Sequence, residues 1–237
     1  MTEKDRLIVA LDFDNEAKAL GTVKKLQGEV RFFKVGFELF SSCGPGVVEK
    51  IQRSGCAVFL DLKFHDIPNT VAKAAAAATR LGVYMFNCHA LGGLEMMRAA
   101  TLAAEETSKR LKVNRPKVLA VTILTSMSEM TLKDVGINDT MKDTVLKLAR
   151  LARKSGLDGV VASPQEAKLI RQELGKDFLI VTPGVRPAAA DSNDQKRVAT
   201  PKEAIKLGAD YIVVGRPVTE AQDPVKAAQT ILREIEG

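Results

Sequence analysis

A dense group of charged residues follows an apolar segment in the first third of the chain. Asp61, Lys63 and Asp66 come directly after residues 55–60, whose sequence GCAVFL is typical of a buried strand. Residues two apart on a strand share a face, so we expect Asp61 and Lys63 to point the same way, with Asp66 just past the strand end. Charges beside a core are costly unless they are paired or used. This spacing predicts a tight ion network or a site that uses carboxylates and an ammonium in catalysis.

Strand-like and helix-like segments alternate along the whole chain and must position these charges. We expect strands at 7–11, 31–35, 57–62, 84–87, 118–123, 159–162, 178–181 and 211–214. We expect helices at 16–26, 47–53, 70–81, 94–111, 143–154, 164–173, 201–207 and 224–235, three of them beginning at a proline. This pattern within 237 residues predicts an α/β fold, the (β/α)8 TIM barrel. No linker or low-complexity block divides it, so we expect a single domain over residues 1–237.

The main rival architecture is a doubly wound open sheet, which also alternates strands and helices. Its dinucleotide fingerprint GxGxxG and the phosphate loop GxxxxGK[ST] are both missing from the sequence. The barrel is therefore the preferred fold.

Polar residues gather at the expected carboxyl ends of the strands, where barrels of this class hold their active sites. In strand order they are Asp12, Lys34, Asp61 with Lys63, His89, Thr125 with Ser126, Arg186, and Gly215 with Arg216. The opposite strand ends carry no comparable concentration. The sequence therefore predicts one site at the carboxyl end of the barrel.

The last two strand ends indicate what is bound there. The segments 182–186 (TPGVR) and 213–217 (VVGRP) each place a glycine and an arginine where barrels often bind phosphate. Glycine lets the backbone approach closely, and arginine offers a fork of donors to phosphate oxygens, so we expect Arg216 to contact a phosphate. We interpret the stretch 187–197 as a lid over that phosphate. For Gln195, within this stretch, the sequence by itself indicates only a solvated loop residue.

Composition limits the other classes of function. The net charge of +6 is compatible with nucleic-acid binding. Aromatic residues are only 5% of the chain and tryptophan is absent, however, which disfavours a base-stacking surface. No apolar stretch approaches the ~20 residues that span a bilayer, so we expect no membrane partner. The three cysteines lack CxxC spacing, which favours a reduced compartment, and we expect a cytoplasmic protein.

Six segments in order resemble the orotidine 5'-monophosphate decarboxylase family in its bacterial form. They are 10–12 (ALD), 33–36 (FKVG), 61–70 (DLKFHDIPNT), 124–127 (LTSM), 182–187 (TPGVRP) and 213–217 (VVGRP). The segment 61–70 is highly specific, and the shorter ones gain weight from their order. The resemblance covers essentially the whole chain and implies decarboxylation of orotidine 5'-monophosphate to uridine 5'-monophosphate, the last step of pyrimidine nucleotide synthesis, with neither cofactor nor metal.

The resemblance also implies a role for individual residues. Lys63 would be the general acid that protonates C6 of the pyrimidine, and Lys34, Asp61, Lys63 and Asp66 would form an alternating charged array. Asp66 and Thr70 would reach into the active site of the other subunit of a homodimer. The substrate-binding set would be Asp12 and Lys34 on the ribose, Thr125 and Ser126 near the pyrimidine, Arg186, Gln195, Gly215 and Arg216 on the phosphate, together with Asp61 and Pro183.

Elementary chemistry agrees with the role implied for Lys63. Loss of carbon dioxide from an sp² ring carbon leaves a localised anion with no adjacent electron sink, so fixed positive charge and prompt protonation must stabilise it. An ammonium between carboxylates is held in its charged form and can act as that acid.

Four alternatives remain open. The charges could be a structural ion-pair network, or His65 and His89 could join Asp61 and Asp66 around a metal, which the cation of Lys63 would oppose. A magnesium-dependent sugar-phosphate decarboxylase or aldolase of the same superfamily resembles the chain in its Asp-x-Lys-x-x-Asp core. A non-catalytic binder of phosphate ligands or nucleic acid would also use the positive charge.

Overall fold

The structure is a computed structural model that describes residues 5–187 and 199–236. Gln195 and the proposed lid, apart from Pro187, lie outside the described residues. The strands are β1 Leu7–Ala10, β2 Phe32–Val35, β3 Ala57–Phe64, β4 Met85–His89, β5 Lys117–Val121, β6 Gly159–Val161, β7 Leu179–Thr182 and β8 Tyr211–Val214. The helices are α1 Glu16–Leu26, α2 Phe37–Cys43, α3 Gly46–Arg53, α4 Pro68–Arg80, α5 Gly93–Leu111, α6 Glu129–Asp134, α7 Met141–Lys154, α8 Pro164–Leu174, α9 Pro201–Lys206, α10 Arg216–Thr219 and α11 Pro224–Glu236.

The eight strands are all parallel and close into a barrel in chain order, with β1 paired to β8. The predicted (β/α)8 fold is confirmed. Most strand residues are apolar on both faces because one face lines the barrel interior and the other packs against the surrounding helices. None of the helices in the described ranges is both long and apolar enough to cross a membrane.

Alternation along each strand decides which side chains enter the barrel. Ile8, Phe32 and Phe59 belong to the inner core, whereas their neighbours Leu7 and Phe33 belong to the outer core. The residue two places after an inward residue also points inward. Lys34 follows Phe32, Asp61 follows Phe59 and Asn87 follows Met85 by this spacing, so polar side chains lie directly above the apolar layer.

Some element boundaries differ from prediction for identifiable reasons. Strand β3 continues to Phe64 rather than ending at residue 62, because a bulge between Leu60 and Phe64 lets it bend without losing its pairing to β4. Helix α4 begins at Pro68, two residues early, since the fixed φ of proline suits the first helical turn. The short helices α2, α6 and α10 and the 3-10 turn Ala90–Gly92 were not predicted.

Aromatic rings close the amino end of the barrel. The Phe32 ring centroid lies 4.8 Å from that of Tyr84 and 5.7 Å from that of Tyr211. The two tyrosine hydroxyls form a hydrogen bond of 3.0 Å. This end is therefore packed by large side chains with their polar atoms satisfied.

Candidate active site

A cavity of about 350 Å³ opens at the carboxyl end of the barrel, where the sequence predicts the site. Its walls include many of the predicted substrate-binding and catalytic residues: Asp12, Lys34, Asp61, Lys63, Thr125, Ser126, Pro183, Arg186, Gly215 and Arg216. Side chains from opposite sides of the barrel thus meet in one space large enough for a small ligand.

Asp61 is the centre of the charged group in this cavity. Its Oδ1 lies 2.8 Å from Nζ of Lys63, and its Oδ2 lies 3.4 Å from Nζ of Lys34. The Lys34 ammonium also lies 3.0 Å from Oδ1 of Asp12. Asn87 donates a further hydrogen bond of 2.7 Å from Nδ2 to Oδ1 of Asp61. The row of side chains Asp12, Lys34, Asp61 and Lys63 alternates in charge, which offsets the cost of burying Lys34 and Asp61.

This arrangement fixes the ionisation of its buried members. Burial alone would raise the pKa of Asp61, but the ammonium groups of Lys34 and Lys63 and the hydrogen bonds from Lys63 and Asn87 hold that pKa below its usual value. Burial alone would lower the pKa of Lys34, but the carboxylates of Asp61 and Asp12 raise it overall. Asp61 is therefore an anion and Lys34 a cation throughout the neutral range.

Gly36 gives the Lys34 side chain the space to reach Asp12. A Cβ atom at this position would lie 2.8 Å from Nζ of Lys34 and 3.5 Å from Oδ1 of Asp12. Any larger residue would push the ammonium away from its carboxylate. The glycine between β2 and α2 thus leaves room for the Lys34 ammonium beside Asp12.

Lys63 has a left-handed backbone, with φ of 43°. This conformation costs a non-glycine residue about 1 to 2 kcal/mol, and such residues gather at functional sites. The backbone N–H of Lys63 donates to Oδ1 of Asn87 at 2.8 Å. The local geometry turns the side chain into the cavity, where its Nζ also lies 5.6 Å from the centroid of the Phe37 ring.

Two predicted residues lie away from the cavity of their own chain. Asp66 and Thr70 are exposed, and neither lines the cavity. Oδ1 of Asp66 accepts a hydrogen bond of 2.6 Å from the backbone of Ile67. Within residues 5–187 and 199–236 of one chain, Asp66 forms no ion pair with Lys63, so the array holds only one of the two carboxylates expected beside that lysine.

The two histidines form a stacked pair beside the charged group. The ring centroids of His65 and His89 are 5.4 Å apart with an interplanar angle of 17°. Burial first, and then the charges of His65 and Lys63, lower the pKa of His89 to about 4. Its Nδ1 accepts a hydrogen bond of 3.3 Å from the backbone of Leu91, which requires an unprotonated nitrogen. Across the described residues no three His, Cys, Asp or Glu side chains cluster closely enough to hold a metal.

Asn87 is the site residue that sequence reasoning missed. It is fully buried, and it contacts both Asp61 and Lys63. A signal existed, because an amide two residues after Met85 on a buried strand needs partners of its own. The partners could not be named without knowing how β3 pairs with β4.

The family model described as "Orotidine 5'-phosphate decarboxylase / HUMPS family" matches residues 5–231. The chain belongs to this family. Among curated members, "Orotidine 5'-phosphate decarboxylase" from Geobacter metallireducens is 56% identical over 98% of this chain and 96% of its own length. The protein of the same name from Syntrophomonas wolfei is 50% identical over 100% of both chains.

Solved structures agree with this membership. The crystal structure of orotidine 5'-phosphate decarboxylase from Lactobacillus acidophilus matches with a TM-score of 0.87 and 43% identity, covering 98% of this chain and 100% of that one. An uncharacterised conserved protein from Geobacillus kaustophilus matches with a TM-score of 0.85 and 39% identity over 97% of this chain and 99% of that one. The barrel and the family are therefore supported independently.

Proposed function

We propose that this protein decarboxylates orotidine 5'-monophosphate to uridine 5'-monophosphate, the last step of pyrimidine nucleotide synthesis, and that Lys63 protonates C6. The observation that carries the proposal is the Lys63 ammonium, held 2.8 Å from Asp61 in a cavity whose far wall contains Arg186 and Arg216. Curated relatives that are 50% and 56% identical bear the name of this activity.

The reaction breaks the bond between C6 and the carboxylate carbon. Carbon dioxide leaves, and the bonding electron pair stays on C6 in an orbital that cannot delocalise into the ring. The proton on Nζ of Lys63 moves to this pair and forms the new C6–H bond, which leaves a neutral amine. Lys34 adds a second fixed positive charge to the array, and fixed charge that needs no reorganisation is the strongest means of stabilising such an anion.

The phosphate of the substrate would bind at the wall formed after β7 and β8. Arg186 is buried and Arg216 exposed, and both line the cavity together with Gly215 and Pro183. Contacts this far from C6 can supply binding energy that is expressed in the transition state. Thr125 and Ser126, on the loop after β5, would contact the pyrimidine, and Asp12 with Lys34 would hold the ribose hydroxyls. Gln195 stays a prediction, since it lies outside the described residues.

The active unit is a homodimer in which Asp66 and Thr70 complete the partner's site. Both residues are exposed and lie away from their own cavity. Two large apolar side chains that follow β2 and β3 are also exposed, Phe37 by 57% and Ile67 by 66%. Exposed apolar side chains beside charged residues favour a protein interface.

Subunit mixing tests this arrangement. Lys63→Ala and Asp66→Ala proteins are each expected to be almost inactive. After unfolding and refolding together, hybrid dimers would contain one intact site, so activity should return to about a quarter of the wild-type value. No recovery in dimers shown to be hybrid by mass would contradict a shared site.

The remaining expectations concern setting and organisation. Residues 1–237 form a single domain, which is supported by eight strands that close one barrel in chain order. The protein is cytoplasmic, which is supported by Cys43, Cys56 and Cys88 all being free thiols. The step needs no cofactor and no metal; for the metal, this is supported by both oxygens of Asp61, which face ammonium groups.

The experiment that tests the function is an absorbance assay with orotidine 5'-monophosphate in excess EDTA. Full turnover in chelator is expected. Turnover restored only by Mg²⁺, or activity confined to sugar phosphates, would favour the magnesium-dependent alternative. Absence of turnover together with salt-dependent binding to DNA or RNA would favour the non-catalytic binder.

A further inference from the structure

Asn87 stands opposite a gap in the pairing of two strands. Leu60 pairs with Phe86, and the next registered pair is Phe64 with Cys88. Strand β3 therefore passes from residue 60 to 64 while β4 advances by only two residues, and Asn87 alone faces the bulge that contains Asp61 and Lys63. Backbone groups in such a bulge lose their ladder partners and need substitutes.

The Asn87 amide supplies these substitutes. Its Oδ1 accepts from the backbone N–H of Lys63 at 2.8 Å, and its Nδ2 donates to Oδ1 of Asp61 at 2.7 Å. The opposite amide orientation would place a donor against an N–H and an oxygen against a carboxylate, so the chemistry of the two neighbours fixes the orientation. One side chain with no exposed surface thus holds both charged residues.

We propose that Asn87 is a positioning residue, which holds Lys63 in its left-handed backbone and Asp61 in the rotamer that aims the ammonium into the cavity. The Asp61 oxygen that accepts from Asn87 is the same Oδ1 that contacts Nζ of Lys63. Asn87 therefore controls the backbone of the lysine directly and its ammonium through the carboxylate. It does not line the cavity and needs no contact with substrate. The reaction that it serves is the proposed decarboxylation, and its expected effect on kcat rests on that function.

Loss of the amide should misplace Lys63 rather than remove it. A shift of about 1 Å in a reacting group can lower a rate ~100-fold while binding elsewhere continues. Arg186 and Arg216, which would bind the phosphate, follow β7 and β8, whereas Asn87 lies on β4. Binding of a nucleotide should therefore persist. This combination, slow chemistry with retained binding, separates positioning from a general loss of structure.

Two substitutions and one matched control test the proposal. Asn87→Leu removes both hydrogen bonds at similar volume. Asn87→Asp keeps the acceptor for Lys63 but replaces the donor with an oxygen that faces the Asp61 carboxylate. The control is Thr122→Val, because Thr122 is equally buried at the end of β5 and donates to the backbone of Val161 at 3.0 Å without contacting the array.

Both Asn87 variants should lose at least ~100-fold in kcat, with the Kd for uridine 5'-monophosphate within about fivefold of wild type. In Asn87→Asp the two carboxyl groups should share a proton, so the acidic limb of the rate profile should move up by about one pH unit or more. Thr122→Val should keep kcat within about threefold. Rates near wild type in both Asn87 variants, or an equal loss in the Thr122 control, would overturn the proposal.

Hydrogen exchange of wild-type protein remains decisive if a variant fails to fold, and both exchange and a carboxyl titration remain decisive if the wild type does not decarboxylate the substrate. The Lys63 amide of wild-type protein should be protected from hydrogen exchange, because Oδ1 of Asn87 accepts its hydrogen. The ¹³C shift of the Asp61 carboxyl should titrate at higher pH in Asn87→Leu than in wild type. Rapid exchange at Lys63 or an unchanged carboxyl titration would reject the positioning role, whereas an inactive wild type would reject only the proposed function.

Discussion

The two ends of the barrel interior are built on opposite principles. At the amino end, Phe32, Tyr84 and Tyr211 fill the interior with rings, and the two hydroxyls satisfy each other. At the carboxyl end, the inward faces of β2 and β3 carry Lys34 and Asp61, and the interior opens into a cavity. One end removes apolar surface from water, whereas the other holds charges in fixed positions at a cost in desolvation.

This difference shows which end of the barrel stabilises the fold and which end is strained for the sake of the reaction. The left-handed Lys63 lies at the charged end, in the bulge of β3. The other non-glycine residue with positive φ among the described residues is Lys112, which ends α5 in the loop that leads to the amino end of β5 and contacts no charged group of the cavity. Substitutions at the charged end should therefore affect the reaction most, and those at the aromatic end should affect stability most.

The largest expected effect is that of Lys63→Ala on the reaction. Loss of the acid and of one fixed charge should lower kcat by more than ~10⁴-fold. Binding of uridine 5'-monophosphate should persist. The free energy of unfolding should change by no more than about 1 kcal/mol, because the Lys63 side chain is partly exposed and alanine, which keeps the Cβ atom, leaves the backbone strain unchanged. Steady-state kinetics, calorimetric titration and urea unfolding measure the three quantities. Exposed Lys168→Ala is the control, and a near-normal kcat for Lys63→Ala would refute the assignment.

The opposite result is expected at the aromatic end. Tyr211→Ala should lower the free energy of unfolding by about 3 to 5 kcal/mol, because a fully buried ring leaves a cavity. The kcat of the folded fraction should stay within about threefold of wild type. Tyr211→Phe should cost only about 1 kcal/mol, since it removes the hydroxyl bonded to Tyr84. If Tyr211→Phe lowered kcat strongly, the separation of the two ends would be wrong.

A smaller effect is expected at the phosphate wall. Arg216→Ala should reduce kcat/KM by a factor equivalent to about 2 to 4 kcal/mol, through lost charge-assisted hydrogen bonds to phosphate. The free energy of unfolding should hardly change because Arg216 is exposed. Exposed Arg233→Ala on α11 serves as the control for removing a positive charge. An unchanged kcat/KM would take Arg216 out of the phosphate site.

The smallest effect concerns acid stability beside the charged group. His89 has a pKa of about 4 in the folded protein against an ordinary value of 6.5, so the unfolded chain binds a proton first as the pH falls. The free energy of unfolding should therefore fall by about 1 to 3 kcal/mol between pH 6.5 and pH 4. Below pH 4 His89 should cause no further loss. His89→Asn, which keeps an acceptor for the Leu91 amide, should flatten urea unfolding across this interval. An unaltered slope would show that another group titrates there.

Sequence reasoning predicted the barrel well because its signals are local. Apolar strands of regular length and prolines at Pro164, Pro201 and Pro224 mark elements without knowledge of their partners. It also placed Lys34, Asp61 and Lys63 together, since parallel strands bring their carboxyl ends to one rim. The bulge in β3 and the role of Asn87 were missed because both depend on the register between β3 and β4. The positive φ of Lys63 has no sequence signal, as lysine seldom adopts it.

The most direct test of the account is to remove the ammonium of Lys63 and then restore it chemically. Lys63→Cys should be almost inactive, and alkylation with 2-bromoethylamine would place an ammonium on a side chain of nearly the same length. Treated wild-type protein controls for reaction at half-buried Cys43, since Cys56 and Cys88 are buried. We expect kcat for orotidine 5'-monophosphate to rise at least ~100-fold on alkylation. Complete modification by mass with retained uridine 5'-monophosphate binding but no recovered turnover would contradict proton donation by Lys63.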